Sequence, residues 1–156
     1  MARMIFVNLP VTDLQRSKRF YEAVGAVNEP KFTNEAAAMM RFSEEVNVML
    51  LTHDFWRTFT TKEIPDARRS AQVLLCLSAD SRAAVDAQVA AATEAGGKAD
   101  PTPNQDMGGM MYGRSFEDPD GHIWEVMWMD AAAAAQGASA LEETQPQAQP
   151  QPQPAV

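Results

Sequence analysis

The amino-acid sequence predicts an α+β fold made of two tandem βαβββ modules. The order of apolar strand, amphipathic helix, glycine and short strands occurs twice along the chain, which indicates an internal repeat. The second copy ends in Asp118 to His122, a segment rich in the residues of a tight hairpin. The 156 residues, 46% of them hydrophobic, suffice for one core but not for two large independent domains.

The first module is predicted to span residues 4–52. Met4 to Leu9 is an apolar run typical of a strand, and Leu14 to Val24 has the apolar spacing of a helix. Asp13 suits the N-cap of this helix, and Gly25 suits a left-handed residue after its end. Two further strands are expected around Ala37 to Phe42 and Val46 to Thr52.

The second module is predicted to span residues 71–130 and to repeat this order. Its first strand is expected over Gln72 to Leu77, and its helix carries Val85, Val89 and Ala92 on one face before Gly96 and Gly97. Its last strands are expected over Met110 to Glu117 and Ile123 to Met129. The two modules form one domain, 4–130, with a linker at 53–70. Residues 131–156, rich in Ala, Gln and Pro, are expected to be a disordered tail.

Composition and charge exclude two classes of partner. The formal net charge is −8 at pH 7, whereas nucleic acid or an anionic membrane surface requires clustered Lys and Arg. No apolar run approaches the roughly 20 residues that a membrane helix needs, and the N-terminus shows no long apolar signal segment. Cys76 is the only cysteine, so no intramolecular disulfide can form. We therefore expect a cytoplasmic protein that binds neither nucleic acid nor membrane.

Two motifs resemble a known family. The run from Leu9 to Ser17, followed by Phe20 and Tyr21, resembles the opening of glyoxalase-type proteins, and Phe116 to Glu125 resembles their closing hairpin. The chain thus resembles the vicinal oxygen chelate superfamily of glyoxalases, bleomycin-resistance proteins and extradiol dioxygenases. The resemblance implies modules whose mixed sheets curl around a shared cavity, and it implies a homodimer.

The resemblance also implies where the functional residues lie. Such families usually hold a divalent metal through the first and last strands of each module, where His and carboxylate side chains bind the metal and the metal activates neighbouring substrate oxygens. In this sequence those positions fall on Phe6, Leu50, Leu74 and Glu125. Phe and Leu side chains have no atoms that can bind a metal. Of the four positions, Glu125 alone has a side chain that can be a metal ligand. We therefore expect no cofactor and no metal site; the alternative is a divalent metal with Glu125 as a ligand.

Glu125 and Asn8 are the polar candidates within apolar strands. Alternation places Glu125 on the cavity face and its neighbours Trp124 and Trp128 on the opposite, core face. A carboxylate in an apolar pocket could act as a general acid or base, or it could form a structural hydrogen bond to Arg114, Tyr112 or Asn8. Asn8 could bind ligand from the cavity side, or it could simply be exposed near a strand end.

Other candidates lie in the second half of the chain. Tyr112 and Arg114 follow a loop rich in Gly and Met, residues 105–111, which could be a mobile lid or an ordinary connection. Arg114 could bind an anionic ligand or pair with Glu117 or Glu125. Cys76, in a predicted buried strand, is interpreted as an inert core residue.

Three functions remain open on this basis. The apolar Phe6, Leu50 and Leu74 favour a metal-independent protein that binds a hydrophobic or aromatic small molecule, as bleomycin-resistance proteins do. The alternative is an enzyme, a glyoxalase-like lyase of the lactoylglutathione lyase type or an extradiol-dioxygenase-like enzyme, acting on vicinal oxygens. A third possibility is an accessory protein whose cavity is filled by side chains.

Overall fold

The computed structural model describes residues 3–137 and has the predicted α+β architecture. The first module contains β1 (Ile5–Val11), α1 (Leu14–Ala23), β2 (Val27–Glu29), β3 (Ala37–Arg41) and β4 (Val46–Thr52), with a 3₁₀ turn at Pro30–Phe32. The linker begins with α2 (His53–Trp56). The second module contains β5 (Leu75–Ser78), α3 (Arg82–Glu94), β6 (Lys98–Ala99), β7 (Gln105–Asp106), β8 (Met111–Glu117) and β9 (Ile123–Met129), and α4 (Ala131–Gln136) follows it.

The two main helices begin and end where the sequence predicts. The Asp13 side chain caps α1 by accepting a hydrogen bond from the Arg16 amide at 2.9 Å, and Gly25, with φ of +99°, follows the last turn. Ser81 caps α3 through the Ala84 amide at 3.1 Å. The buried face of α3 consists of Val85, Val89 and Ala92, as its spacing predicts.

Each module forms its own mixed sheet. The strand orders are β1-β4-β3-β2 and β5-β9-β8-β6, and β7 also pairs with β8. The pairs β1–β4 and β5–β9 are parallel, and the other pairs are antiparallel. β1 and β5 therefore lie at an edge of their sheets. Within residues 3–137 the strands form two separate sheets and no closed barrel.

The helix-covered faces of both sheets pack into one shared core. The ring centroids of Phe20 and Phe116 are 5.9 Å apart, and Tyr21 contacts Trp124 edge-on at 6.0 Å. Trp124 and Val126 are buried there and Trp128 packs against them, which confirms the predicted core face of β9. α1 and α3 do not cover the opposite faces of the sheets. On that face of the first sheet the residues of β1 are exposed, whereas Ala37, Met39, Asn47 and Leu51 are buried.

The turn between β8 and β9 connects the modules. One oxygen of Asp118 accepts hydrogen bonds from the backbone amides of Asp120, Gly121 and His122, all at 2.9 Å. Asp120 in turn accepts hydrogen bonds from the amide and hydroxyl of Thr12 at the start of the first module's helix. The turn predicted from its Asp, Pro and Gly content is therefore also a contact between the modules.

The structure differs from the predicted elements in detail. β5 begins at Leu75 rather than at Gln72, and the short strands β2, β6 and β7 were not individually predicted. The predicted disordered tail lies, from residue 138 onward, outside the described residues; residues 131–136 form α4. None of the helices in residues 3–137 has the length and apolar character needed to cross a membrane.

Candidate functional site

The uncovered face of the first sheet carries two of the predicted site residues. Phe6 and Asn8 alternate with the core residues Val7 and Leu9, so their side chains lie on the uncovered face. Phe6 is 49% exposed, and Asn8 is exposed in the middle of β1 rather than near its end. The parallel register pairs Asn8 with Met49. We call Phe6, Asn8 and Met49 the first open face.

The uncovered face of the second sheet carries Glu125. β5 pairs with β9 so that Cys76 lies opposite Glu125, and both residues alternate with core positions. Met127 lies on the same side of β9, and Leu74, immediately before β5, is 49% exposed. We call Leu74, Cys76, Glu125 and Met127 the second open face.

The Glu125 carboxylate is not held by a structural contact within the described chain. None of the hydrogen bonds or ion pairs in residues 3–137 engages it, so the structural alternative, a hydrogen bond to Arg114, Tyr112 or Asn8, is wrong. Its side chain borders a cavity of about 30 Å³ that Thr102 and Pro103 help to close. Such a cavity is the size of one water molecule. Glu125 is therefore a carboxylate without a partner on an otherwise mostly apolar surface.

Cys76 is exposed, and its interpretation as a buried core residue is wrong. The error arose because only one face of β5 packs against the core: Leu75 and Leu77 lie on that face, and Cys76 between them lies on the other. Partial desolvation, followed by the negative charge of Glu125, raises the pKa of the Cys76 thiol. The thiol therefore stays protonated at neutral pH and is a weak nucleophile.

Leu50 does not lie on an open face. It is fully buried and belongs to the shared core, because Val48 and Leu50 are the residues of β4 that face α1. The register with β1 brings Met49 to the position expected for Leu50. A shift of one residue along a strand moves a side chain to the other face. The expected cavity position of Leu50 is therefore corrected to Met49.

The side chains of Tyr112 and Arg114 form their hydrogen bonds on the helix-covered side, although Arg114 also borders the small cavity next to Glu125. The Tyr112 hydroxyl donates to Asp86 of α3 at 2.8 Å. Arg114 donates to Asp86 at 2.9 Å and, through two nitrogens, to Asp100 at 3.0 and 2.7 Å. These contacts hold the pKa of both carboxyl groups below the ordinary Asp range. Arg114 thus pairs with neither Glu117 nor Glu125.

The loop expected as a possible lid is fastened to α3. Arg82 forms two hydrogen bonds with the Asp106 carboxylate, at 3.0 and 2.6 Å, and a third with the Gly108 carbonyl at 2.8 Å. Its guanidinium also lies over the Tyr112 ring, 4.2 Å from the centroid. These contacts hold the loop against α3, while Gln105 at its start borders the small cavity next to Glu125.

The residues of the open faces do not fit a divalent metal. Across residues 3–137, no group of three or more His, Cys, Asp and Glu side chains is placed to hold a metal ion. The two histidines lie elsewhere: His53 begins α2, and the His122 ring is 2.9 Å from the Pro10 carbonyl. Glu125 and Cys76 remain as donors, and they differ from the His and carboxylate set that the resemblance implies.

A second, larger cavity lies next to Asn8 of the first open face, and no residue of the second open face borders it. It measures about 170 Å³, is mostly apolar, and is bordered by Asn8, Trp56, Val73 and Ile123. Drug-sized ligands usually occupy about 300–1,000 Å³. The open faces of a single chain therefore carry the apolar and polar side chains of a ligand pocket. The cavities next to them are too small to hold such a ligand.

The structure places Phe6, Asn8 and Leu74 at exposed positions and Glu125 at a half-buried one, and their roles in binding a ligand stay predictions. Sequence reasoning did not include Met49 and Cys76 among the site residues. Met49 could have been found only from the register of β4, which the alternation of apolar residues does not determine when both faces are apolar. Cys76 could have been found only by pairing β5 with β9, because the apolar run of β5 alone does not show which of its faces is buried.

Comparisons with known proteins agree with this fold. The chain is similar to a hypothetical protein from S. aureus (24% identity, TM-score 0.68, 82% of this chain and 94% of that one). It is also similar to a glyoxalase/bleomycin resistance protein/dioxygenase family enzyme from Burkholderia phytofirmans PsJN (17% identity, TM-score 0.66, covering 83% and 100%). A third similar structure is TnmS3, an antibiotic binding protein from Streptomyces sp. CB03234 (21% identity, TM-score 0.58, covering 83% and 98%). These identities show the fold alone.

No curated protein matches the chain significantly. A family model, in contrast, matches residues 3–126, which include the first module, the second module as far as Val126 in β9, and every residue of the two open faces except Met127. By this match, the chain belongs to the Glyoxalase/Bleomycin resistance protein/Dioxygenase superfamily.

Proposed function

We propose that the protein binds a hydrophobic or aromatic small molecule without a metal, in a cavity formed between two copies of the chain. Proteins of this superfamily bind small molecules, and one similar structure is an antibiotic binding protein. The observation that carries the proposal is the composition of the open faces. Phe6, Met49 and Met127 provide apolar walls, while Asn8 and Glu125 provide polar anchors, which is the usual balance of a ligand pocket.

The exposed strand edges support a homodimer. β1 and β5 each have one unpaired edge, and both carry exposed apolar side chains: Phe6 on β1, and Val73 and Leu74 just before β5. Unpaired edges of this kind invite pairing with another chain. In our proposal the first open face of one protomer lies opposite the second open face of its partner. Asn8 and Met49 then enclose Glu125 and Met127 in a larger cavity.

The proposed location is the cytoplasm. Cys76 is exposed and has no disulfide partner in the sequence. A reducing compartment keeps such a thiol free.

Binding of the uncharged dye Nile red to protein treated with a metal chelator tests the proposal. We expect saturable binding that the chelator does not change, because the pocket needs no metal. Asn8→Trp should abolish binding by filling the cavity, whereas Glu22→Trp, on the exposed side of α1, should leave it intact. Absence of saturable binding, or equal binding by both variants, would contradict the proposal.

The enzyme alternative makes a different prediction. A glyoxalase-like lyase or dioxygenase requires a metal to activate vicinal oxygens. Titration with Ni, Zn, Mn and Fe(II) while following the melting temperature detects any such site, because a ligand of the native state raises Tm. Stoichiometric metal with stabilisation that is lost in Glu125→Ala would favour the enzyme and overturn metal-independent binding.

A further inference from the structure

Glu125 has the one charged side chain among the residues that define the two open faces. The others are Phe6, Asn8, Met49, Leu74, Cys76 and Met127. Glu125 is half-buried in β9, so its carboxylate is partly removed from water. Partial desolvation of a charge costs free energy unless a cation or hydrogen-bond donors replace the lost water. None of the hydrogen bonds or ion pairs in residues 3–137 gives Glu125 such a partner.

The cations of the second module do not neutralise this carboxylate. The module contains three of them, Arg82, Lys98 and Arg114. The guanidinium groups of Arg82 and Arg114 are hydrogen-bonded to aspartates on the α3 side, although Arg114 also borders the small cavity next to Glu125. Lys98 belongs to β6, and β8 lies between that strand and β9. The second open face therefore has a negative charge that its own module leaves unpaired.

The surface that faces Glu125 in the proposed dimer adds no unengaged cation. The first open face consists of uncharged residues. Arg41 lies on the same side of that sheet, but it belongs to β3, two strands away from β1. Its guanidinium is 3.8 Å from the Glu29 carboxylate. Among the residues that the structure describes, the shared cavity therefore combines one unpaired carboxylate with mostly apolar walls.

The uncharged residues of the open faces suit a cation attached to a flat apolar body. The exposed Phe6 ring can attract a cation to its face. Met49 and Met127 carry polarisable thioethers that pack well against aromatic rings. The Asn8 side chain takes part in none of the hydrogen bonds within residues 3–137. Its carbonyl oxygen can therefore accept a hydrogen bond from an ammonium group.

We propose that the ligand of the shared cavity carries a protonated amine on a hydrophobic or aromatic body, and that Glu125 selects this ligand by pairing with the ammonium group. The inference rests on the proposed function, because it names the class of ligand for the same cavity. The net charge of −8 favours the approach of a cation to the protein. A charge-assisted hydrogen bond is stronger than one between neutral groups, so an amine should bind more tightly than its neutral analogue.

Isothermal titration calorimetry of the full-length protein with three indole probes tests this selectivity. Tryptamine, tryptophol and indoleacetate have the same ring and a side chain of similar length, and they differ in charge. With a metal chelator present, we expect tryptamine to bind about tenfold more tightly than tryptophol, a difference of about 1.4 kcal/mol. Indoleacetate should bind most weakly, because Glu125 repels it. Equal affinities for tryptamine and tryptophol, or tightest binding of indoleacetate, would overturn the inference and leave the proposed function standing.

Matched charge variants separate pairing with Glu125 from the general field of an acidic protein. Glu125→Gln should bring the ratio of tryptamine to tryptophol affinity close to one. Glu22→Gln removes the same charge from the exposed side of α1 and should keep the ratio. A ratio that both variants reduce equally, or that Glu125→Gln leaves unchanged, would overturn selection by Glu125.

Two further readouts keep the test decisive. The melting temperature shows whether each variant is folded, and the selectivity of the unmodified protein is a test that needs no variant. Absence of saturable binding of all three indole probes would also overturn the inference. Nile red carries no charge, so its binding decides the proposed function separately.

Discussion

The hydroxyl of Tyr21 in α1 donates a 2.9 Å hydrogen bond to the carboxylate of Asp118, which lies 97 residues further along the chain. The same hydroxyl accepts a hydrogen bond from the indole nitrogen of Trp124 at 3.0 Å. All three side chains are buried. One helix of the first module is thereby connected to the closing hairpin of the second through a fully satisfied polar network.

Removing this hydroxyl should destabilise the whole domain. Tyr21→Phe leaves the Trp124 N–H without an acceptor and takes one donor from Asp118, at an expected cost of about 2 kcal/mol in the free energy of unfolding. Tyr112→Phe is the matched control, because its hydroxyl binds an exposed Asp86, and it should cost less than about 0.5 kcal/mol. Urea unfolding of both variants measures the difference. Equal losses would show that the buried network contributes little.

The close approach of the linker to Gly121 predicts a steric effect. Gly121→Ala would place a Cβ 2.7 Å from the Arg68 amide nitrogen and 2.8 Å from the Ala67 carbonyl carbon, so we expect a loss of about 3 kcal/mol. Gly96→Ala has a similar φ of +96° but open space around it. It should lose only about 1 kcal/mol from backbone strain. Thermal unfolding compares the two, and similar Tm values would contradict the packing of the linker.

The proximity of Cys76 and Glu125 predicts the pH dependence of thiol alkylation. Desolvation and the Glu125 charge raise the thiol pKa, so the thiolate forms at a higher pH than in an ordinary cysteine. Glu125→Gln removes the negative charge and should shift the rate profile with iodoacetamide to lower pH. Glu117→Gln, further along the sheet, should not shift it. A profile unchanged by Glu125→Gln would show that the two side chains are not neighbours.

The contacts of Arg82 predict the mobility of residues 105–110. Arg82→Gln removes its hydrogen bonds to Asp106 and Gly108, so amide exchange in this loop should accelerate. Global stability should change by less than about 1 kcal/mol because the ion pair is largely exposed. Hydrogen exchange followed by mass spectrometry separates the two effects. Unchanged exchange in the loop would mean that other contacts hold it.

Much of the fold could be predicted because local patterns determine it. Asp13 and Gly25 mark the ends of α1, and the turn residues at 118–122 mark the last hairpin. Short strands such as β6 and β7 depend on pairing with β8 and have little pattern of their own. The orientation of Arg114 could not be predicted either, because its partners Asp86 and Asp100 come from other elements.

The site was predictable where apolar and polar residues alternate, and unpredictable elsewhere. Glu125 stands among large apolar residues, so its face follows from the alternation of β9. β4 is apolar on both faces, and the assignment of Leu50 instead of Met49 was therefore wrong. How two copies share a cavity depends on long-range geometry that no local pattern encodes.

The central claim, a ligand cavity shared between two protomers, is tested most directly by mixing two inactive variants. Asn8→Trp blocks the first open face and Cys76→Trp blocks the second, so each variant alone should fail to bind Nile red. In a mixed dimer one cavity combines the two intact faces, and random mixing by joint refolding should restore about a quarter of the wild-type binding capacity. Absence of any recovery, with both variants folded, would contradict a cavity built from two chains.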